Sequence, residues 1–380
     1  MSMPFNGERL KEARRFRQLS IPQLAEEIDV SKQMISKYEH NDSQPSPKTY
    51  QKLVLTLEFP LTFFQHQDDF TYNDLGTFYR SRLSSTQSEK KPSELLKKYL
   101  AVLANFFESY VDFPILKEIE LYENPVDAAA QLRKDWNLGL APIPNMLHLL
   151  ELHGFQVAAI NSNSEKVDAF GSQTRVNNKD YYCILIDQDN NSFYRQQFSL
   201  AHELGHWALH SKVLNPQELD PQEYREMENQ ANAFAANFLL PEQSFSKDIK
   251  GYEDDLDAYL KLKSKWEVSA ASMVYRAKNL GIISSDQYIR LQKKMSSRGW
   301  RRSEPFDSVH PVPKPTIMKQ AYDLLVKANI IGSESISSLL NKAYGISLPN
   351  DILSDLLGIP VEQLVINNQA TIIQMKKRKE

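Results

Sequence analysis

The stretch that decides the fold is FSLAHELGHWALH, residues 198–210. Two histidines four positions apart in a helix lie on one face, about 6 Å apart along the axis, so both rings can bind one ion. His202 and His206 have this spacing, and Glu203 lies beside the first of them, where a carboxylate can reach water on a metal. Zinc takes such ligands in a tetrahedral arrangement. The segment therefore predicts a zinc site with Glu203 as its catalytic residue.

An accidental match is the alternative interpretation, since about one chain in a hundred of this composition would contain the five-residue pattern by chance. The surroundings favour a metal site. The helix follows the apolar run 181–186 across a short loop. Gly205 is kept inside the helix, although glycine costs about 1 kcal/mol there relative to alanine. A close neighbour or a metal would explain that glycine.

A third ligand must come from another element. The acidic residues after the helix are the candidates: Glu218, Asp220, Glu223, Glu226 and Glu228. Glu228 is preferred, because Ala231 and Ala235 would let its helix lie close to the histidines and aim the carboxylate at the ion. Glu226 points about 200° away around that helix and is the fallback. His210 lies about 12 Å along the axis from the first histidine, so an outer or surface role is expected instead of ligation.

HELGH at 202–206, followed by ENQANAFAANFLLP at 228–241, resembles the ImmA/IrrE family of bacterial metallopeptidases. With its flanking segments the resemblance spans residues 126–305, and it implies an α+β zincin-like domain with a small sheet. The positions that bind zinc or catalyse in that family correspond to His202, His206, Glu228 and Glu203. Two positions depart from the usual pattern, since Ser199 stands where threonine is common and Gln197 where a second arginine is frequent. Neither change touches a ligand.

Residues 20–39, SIPQLAEEIDVSKQMISKYE, predict two short helices around a tight turn. Ser20 and Gln23 have the pattern of a helix capping box, and Ser31 caps the next helix. The segment resembles the helix-turn-helix of XRE/Cro-type repressors, which implies binding of double-stranded operator DNA through the second helix. The residues expected to be exposed on that helix are Lys32, Gln33, Ser36 and Lys37.

By this resemblance Lys32, Gln33 and Ser36 face base edges in the major groove, and Gln23 contacts a phosphate. Four arginines near the first helix are expected to add backbone contacts: Arg9, Arg14, Arg15 and Arg17. The alternative is a helical interaction module with solvated polar residues, because acidic and basic side chains nearly balance within residues 1–66. The glycine that usually follows the Tyr-Glu pair in these repressors is absent.

Composition limits the other possibilities. The chain has 380 residues, so two or three domains are expected. Its net charge of −3 carries no global nucleic-acid signature, so DNA binding must come from a local surface. Cys183 is the single cysteine, which excludes an intrachain disulfide and is expected to be a buried thiol. No apolar run approaches the roughly 20 residues of a membrane helix, and no signal-peptide core opens the chain, so a soluble cytoplasmic protein without a membrane partner is expected.

The pattern of elements predicts a multidomain, mainly α-helical protein. The expected units are an all-α helix-turn-helix domain at 1–66, a helical connector at 67–125, a metallopeptidase-type domain at 126–305, and a linker with a small helical C-terminal unit at 306–380. Loop is expected through 67–92, and one helix over 93–122 that serves as a structural bridge or a homodimer surface. The expected strands lie at 155–160, around 167–170 and at 181–186.

Two functions compete. The first is a transcriptional regulator that binds DNA sequence-specifically and carries a zinc-dependent endopeptidase site, with Glu203 taking the proton of the attacking water. By the family resemblance its substrate is a repressor-type protein, which it cleaves to relieve repression. The second is a non-enzymatic regulator or antitoxin, in which the peptidase-like domain senses a ligand or binds a partner such as a toxin.

Overall fold

The computed structural model describes residues 4–77, 87–160, 169–188, 192–211, 213, 219–301 and 303–364. Within them, helices surround a four-stranded sheet with the strand order β1-β3-β4-β2. The chain is thus mainly helical with one small mixed sheet, as the sequence predicts. In the described part of the chain, no helix is both long and apolar enough to cross a membrane.

The N-terminal helices begin where the sequence places hydroxyl and amide caps. They are α1 Gly7–Phe16, α2 Ile21–Glu27, α3 Lys32–Glu39 and α4 Pro47–Leu57. The Ser20 side chain accepts from the Gln23 amide and the Gln23 side chain reaches back to the Ser20 amide, which is the predicted capping box. Ser31 caps α3 through the Met34 amide. These local bonds fix the turn between α2 and α3.

The sheet brings together strands that lie far apart in the sequence. They are β1 Tyr72–Thr77, β2 Gln156–Ile160, β3 Ala169–Val176 and β4 Lys179–Asp187. The β3–β4 pair is an antiparallel hairpin, β2 runs parallel to β4, and β1 pairs antiparallel with the outer side of β3. The hairpin turn is Asn177-Asn178, both in the left-handed conformation that asparagine tolerates. The predicted strand around 167–170 is β3, although Val167 lies outside the described residues.

The prediction of loop through 67–92 is wrong where β1 forms. Its sequence, YNDLGT, is poor in strand-forming residues, and its stability comes from pairing with β3. The prediction of a helix over 93–122 is wrong at both ends, since α5 is Gln87–Phe107: the helix begins inside the segment predicted as loop and ends well before residue 122. Beyond it, Pro114 lacks an amide donor, and the chain runs without helix to the next N-cap at Asn124.

The middle of the chain forms eight helices within the described residues. They are α6 Pro125–Asp135, α7 Met146–Leu152, α8 Phe193–His210, α9 Pro221–Leu239, α10 Glu242–Ile249, α11 Leu256–Trp266, α12 Ala270–Asn279 and α13 Ser285–Ser297. The C-terminal unit adds four more. They are α14 Ile317–Lys327, α15 Ile336–Tyr344, α16 Asn350–Leu357 and α17 Val361–Leu364.

The segment predicted as a linker after residue 305 is held against the middle helices. The buried Lys263 ammonium donates to Glu304 at 3.0 Å and to Asp307 at 2.6 Å. Glu304 in turn accepts from the amides of Ala270 and Ala271 at the start of α12. A buried lysine that satisfies two carboxylates fixes this segment in place, because leaving any of the three charges unpaired would be costly.

The two faces of the sheet belong to two different cores. Ala169, Tyr182 and Ile184 lie on the side of the sheet that faces α8, which we call the α8 face. They join the core of the middle helices. Phe170 and Cys183 lie on the opposite side of the sheet, which we call the α5 face. They join a core shared by α5, the N-terminal helices and the C-terminal unit. The predicted burial of Cys183 is confirmed, since it is fully buried. The N-terminal helices are therefore packed into the body of the protein.

Candidate metal centre

The predicted metal ligands lie on a helix that is buried along nearly its whole length. Helix α8 begins at the N-cap Ser192 and packs between β3 on one side and α9 on the other. His202 and His206 are each 1 % exposed and Glu203 is 2 % exposed. Three polar side chains removed from water on one helix require partners, because burial of an unpaired polar group costs several kcal/mol.

The close approach of α8 and α9 explains the glycine inside α8. A Cβ atom at Gly205 would lie 3.1 Å from the Ala231 carbonyl oxygen and 3.1 Å from the Phe234 ring. Ala231 and Ala235 are both fully buried at this contact. The small residues therefore allow the two helices to touch, as the sequence predicts, and this contact brings Glu228 to the histidines.

The three predicted ligands meet at one point. The Nε2 atoms of His202 and His206 are 3.0 Å apart. Glu228 places Oε2 3.5 Å from the His202 Nε2 atom and Oε1 3.3 Å from the His206 Nε2 atom. Among the residues that the structure describes, these form the one group of three or more side chains with metal-ligand spacing. Donor atoms 2.0–2.1 Å from a tetrahedral zinc ion lie about 3.3 Å from one another, so the donor set fits that ion.

Hydrogen bonds on the far side of each ring determine which nitrogen faces the site. The His210 Nε2 atom donates to Gln230 Oε1 at 2.9 Å, which leaves His210 Nδ1 to accept from His206 Nδ1 at 3.1 Å. The His202 Nδ1 atom donates to Asn232 Oδ1 at 3.1 Å. Both neutral rings therefore present a lone pair on Nε2, the form that binds a metal. Two lone pairs at 3.0 Å repel each other unless a cation lies between them.

The electrostatics agree with this protonation state. Burial lowers the pKa of His206 to about 3, against the opposing effect of Glu228. Burial also lowers the pKa of His210. For Glu228 burial acts in the upward direction, but its closeness to the His202 and His206 rings, which favours the carboxylate, outweighs burial, so the pKa of its carboxyl lies below the usual range. At neutral pH the site therefore combines a neutral His206 imidazole with the Glu228 carboxylate, and a neutral imidazole beside a carboxylate attracts a divalent cation.

Glu203 lies against the sheet. A Cβ atom at Gly171 of β3 would lie 3.0 Å from the Glu203 Oε2 atom and 2.8 Å from the Tyr182 ring. The Tyr182 hydroxyl donates to the Glu203 carbonyl oxygen at 3.4 Å. Sequence reasoning missed Gly171, although a glycine inside a strand is a signal of close approach by another group.

The remaining acidic candidates lie elsewhere. Glu223 accepts from the Asp220 amide in the capping box that begins α9, and Glu226 is exposed. Glu218 lies outside the described residues. Sequence reasoning also missed Asn232 and Gln230, which orient the rings. The signal for Asn232 was its position one helical turn after Glu228, on the same face of α9. Gln230 had no such signal, because it lies two residues after Glu228 and reaches the site only through His210.

The exposed face of α3 matches the residues predicted to contact DNA. Lys32, Gln33 and Lys37 are exposed and Ser36 is half-buried, while Ile35 and Tyr38 on the opposite side are buried. Gln23 is exposed at the start of α2, and its carbonyl accepts from the Ser20 amide at 2.8 Å. The Gln23 amide group remains directed to solvent as a donor.

The expectation that four arginines add backbone contacts is wrong for those with intramolecular partners. Arg14 is buried and donates to both oxygens of Glu39, at 2.5 and 3.0 Å. Arg9 is buried and forms ion pairs with Glu12 and Asp68. Arg17 is paired with Asp351 of the C-terminal unit at 2.8 Å and with Glu58 at 3.5 Å. Arg15 is exposed and forms no ion pair with a described residue.

A His-Glu-His helix crossed by a second helix that adds a glutamate, beside a small sheet, defines a metallopeptidase-type domain of the zincin class. The profile described as the IrrE N-terminal-like domain, a peptidase family, matches residues 150–278. The profile described as a helix-turn-helix domain matches residues 7–67. No curated protein matches the chain. The chain thus joins an ImmA/IrrE-type peptidase domain to an XRE-type helix-turn-helix domain, which makes it a DNA-binding regulator with a peptidase-like domain.

Proposed function

We propose that the protein is a transcriptional regulator with a zinc-dependent endopeptidase site. The observation that carries the proposal is the meeting of two buried imidazoles and one half-buried carboxylate within 3.5 Å of one another, with the Nδ1 atoms of the two rings bonded on the far side to Asn232 and His210. His202, His206 and Glu228 are the residues that would hold zinc.

Glu203 is the proposed general base. Zinc, when bound, supplies Lewis acidity towards water and towards a peptide carbonyl. Glu203 takes the proton of the attacking water and passes it to the leaving amine. Its carboxylate lies close to Gly171 of β3, and the Tyr182 hydroxyl donates to the main-chain carbonyl of Glu203, which ties this turn of α8 to the sheet. The outer bonds of Asn232 and Gln230 keep the histidine rings oriented throughout.

Sequence-specific DNA binding is the second half of the proposal. Lys32, Gln33 and Ser36 would face base edges in the major groove, Lys37 would contact the DNA from the same helix, and Gln23 would contact a phosphate. By analogy with the peptidase family, the substrate would be a repressor-type helix-turn-helix protein, cleaved in the cytoplasm to relieve repression. The unit boundaries that we propose are 1–66, 67–125, 126–305 and 306–380, with β1 of the second unit completing the sheet of the third.

Cleavage assays with a matched metal assay test the enzymatic half. Purified protein with zinc should cleave a repressor-type protein, and Glu203→Gln should abolish cleavage while keeping about one zinc per chain. His202→Ala should lose the zinc as well, since two remaining donors bind it weakly. Unchanged cleavage by Glu203→Gln would remove that residue from catalysis.

The non-enzymatic alternative makes a different prediction in the same experiment. A folded wild-type protein that shifts operator DNA, holds no zinc and cleaves no repressor would be a regulator or antitoxin whose peptidase-like domain binds a partner. The complete donor set argues for the enzyme, because a degraded site would be expected to have lost at least one donor.

A further inference from the structure

A basic cavity lies where the helix-turn-helix meets α5. It has a volume of about 440 Å³. Its lining residues are Arg14, Arg15, Gln18, Leu19, Ser20, Gln23 and Lys91. Lys91 comes from α5, outside the helix-turn-helix, and none of the described lining residues is acidic. The cavity contains Gln23, the residue that the repressor resemblance assigns to a phosphate.

The charge available in this cavity comes from two side chains. Arg14 is neutralised by Glu39, so its guanidinium adds little net charge. Arg15 is exposed and forms no ion pair with any residue that the structure describes. Lys91 is paired with Glu94 of the next helical turn at 2.6 Å, with 38 % of its side chain exposed. The Glu94 side chain is 19 % exposed and occupies one of the three donors of the Lys91 ammonium, so a phosphate oxygen can bind the same ammonium from the solvent side.

The neighbouring acidic residues do not cancel this charge. Arg15 and Lys91 also line the adjacent cavity, whose carboxylates include Glu12 and Asp68. Lys98 lies between these two carboxylates, at 3.0 Å from Glu12 and 2.9 Å from Asp68, and Arg9 contacts both as well. Their negative charge is therefore matched by two cations, and Glu8 of the same cavity is paired with Lys11 at 3.7 Å. Arg15 is left as an unpaired cation among the described residues, beside the partly exposed Lys91 ammonium.

We propose that Arg15 and Lys91 bind a backbone phosphate of duplex DNA, so that the DNA-binding surface extends from the helix-turn-helix onto α5. The inference rests on the proposed DNA binding. In a helix-turn-helix the helix before the recognition helix crosses the DNA backbone. Here that helix is α2, and Gln23 in its first turn lines the same cavity as Arg15 and Lys91. An arginine fork and a lysine ammonium are the donors that phosphate oxygens accept best.

The test is the salt dependence of binding to a random-sequence duplex, which needs no knowledge of the operator. Each lost phosphate contact reduces the slope of log K against log salt by about 0.9. Lys91→Gln and Arg15→Gln should each show this reduction, and the double variant about twice as much. The loss should be equal on any sequence, because phosphate contacts carry no base information.

Three further variants separate this role from a structural one. Glu94→Gln releases Lys91 and should tighten binding, a change opposite in sign to that of Lys91→Gln. Lys91→Arg keeps the charge and should keep the slope, which covers the case in which Lys91→Gln fails to fold. Lys293→Gln removes an exposed lysine from α13 and should leave the slope unchanged.

The outcomes distinguish the inference from the function beneath it. If wild type, Lys91→Gln and Arg15→Gln all bind duplex DNA with the same slope of log K against log salt, the proposed phosphate contact is wrong. The helix-turn-helix function would be unaffected by that result. Wild-type protein that binds no duplex at any salt concentration would overturn both.

Discussion

The side chains of the metal centre are held by other side chains, whereas those on the exposed face of α3 are held only by the helix that carries them. At the metal centre, His206 is fixed through His210 and Gln230, and His202 through Asn232. On α3, Lys32 and Gln33 project into solvent from a helix whose other side is buried. The first site is preorganised for one ion, and the second acquires its order from the nucleic acid that it binds. Substitutions should therefore act through geometry at the first site and through lost contacts at the second.

The largest effect should come from crowding the general base. Gly171→Ala places a methyl group 3.0 Å from Glu203 Oε2 and 2.8 Å from the buried Tyr182 ring, so both must move. A displacement of about 1 Å at a reacting group can lower the rate about 100-fold. We expect that loss in kcat at an unchanged zinc content, measured with a cleaved repressor. Gly332→Ala, where a Cβ would meet nothing within 4 Å, is the matched control. Equal activities in the two variants would show that Glu203 does not depend on β3.

Acid should weaken the metal-free protein through the buried histidine. His206 has a pKa of about 3 in the folded protein because of burial, against about 6.5 when unfolded. The unfolded chain therefore binds the additional proton between these values, so stability is lost as pH falls below 6.5. From pH 7 to pH 5 the His206 contribution to the unfolding free energy should fall by about 2 kcal/mol. Denaturant unfolding at both pH values gives this change for metal-free wild type and for His206→Gln, and the loss of unfolding free energy should be larger in wild type by that amount. Equal losses in the two proteins would contradict the burial of a neutral ring.

A smaller effect should follow from removing Gln230, the last residue in the series of hydrogen bonds that orients the His206 ring. Gln230→Ala leaves His210 without its acceptor and frees the tautomer of both rings. Loss of such an outer bond typically weakens metal binding by about 10-fold or more. Competition with a chelator measures the zinc affinity directly. Asn229, its exposed neighbour on α9, provides the control substitution Asn229→Ala, which should keep wild-type affinity.

The smallest effect is expected on α3. Gln33→Ala removes one base contact, which should cost about 1 kcal/mol or slightly more on the preferred sequence and almost nothing on random DNA. Binding of both duplexes by fluorescence anisotropy gives the ratio. A loss of affinity of the same size on both duplexes would show that Gln33 contacts a phosphate and does not recognise a base.

The same contrast explains what could be predicted from the sequence. The ligands of the metal centre follow from helical spacing and from the small residues Gly205 and Ala231, because two rigid helices leave few ways to bring three donors together. The capping box of Ser20 and the turn before Ser31 follow from local hydrogen bonding. These features are set by residues within a few positions of each other, or by the packing of two helices.

What could not be predicted depends on distant partners. Strand β1 has no strand pattern of its own and forms because β3 offers an edge. The four arginines assigned to DNA were indistinguishable in sequence, and only the fold shows that Arg14 is paired with Glu39 whereas Arg15 is exposed. The early end of α5 and the anchoring of the segment after residue 305 by Lys263 likewise depend on tertiary contacts.

The shared core on the α5 face has a consequence for the order in which the protein can be completed. Thr62 of the helix-turn-helix donates to Ser347 of the C-terminal unit at 2.7 Å, across 285 positions of the chain. At a synthesis rate of about 5–20 residues per second, the second partner leaves the ribosome roughly 15 to 60 s after the first. During that interval the core on the α5 face lacks the buried residues that the C-terminal unit contributes, such as Ile352 and Leu353. The nascent DNA-binding domain should therefore need a chaperone until the last helices arrive.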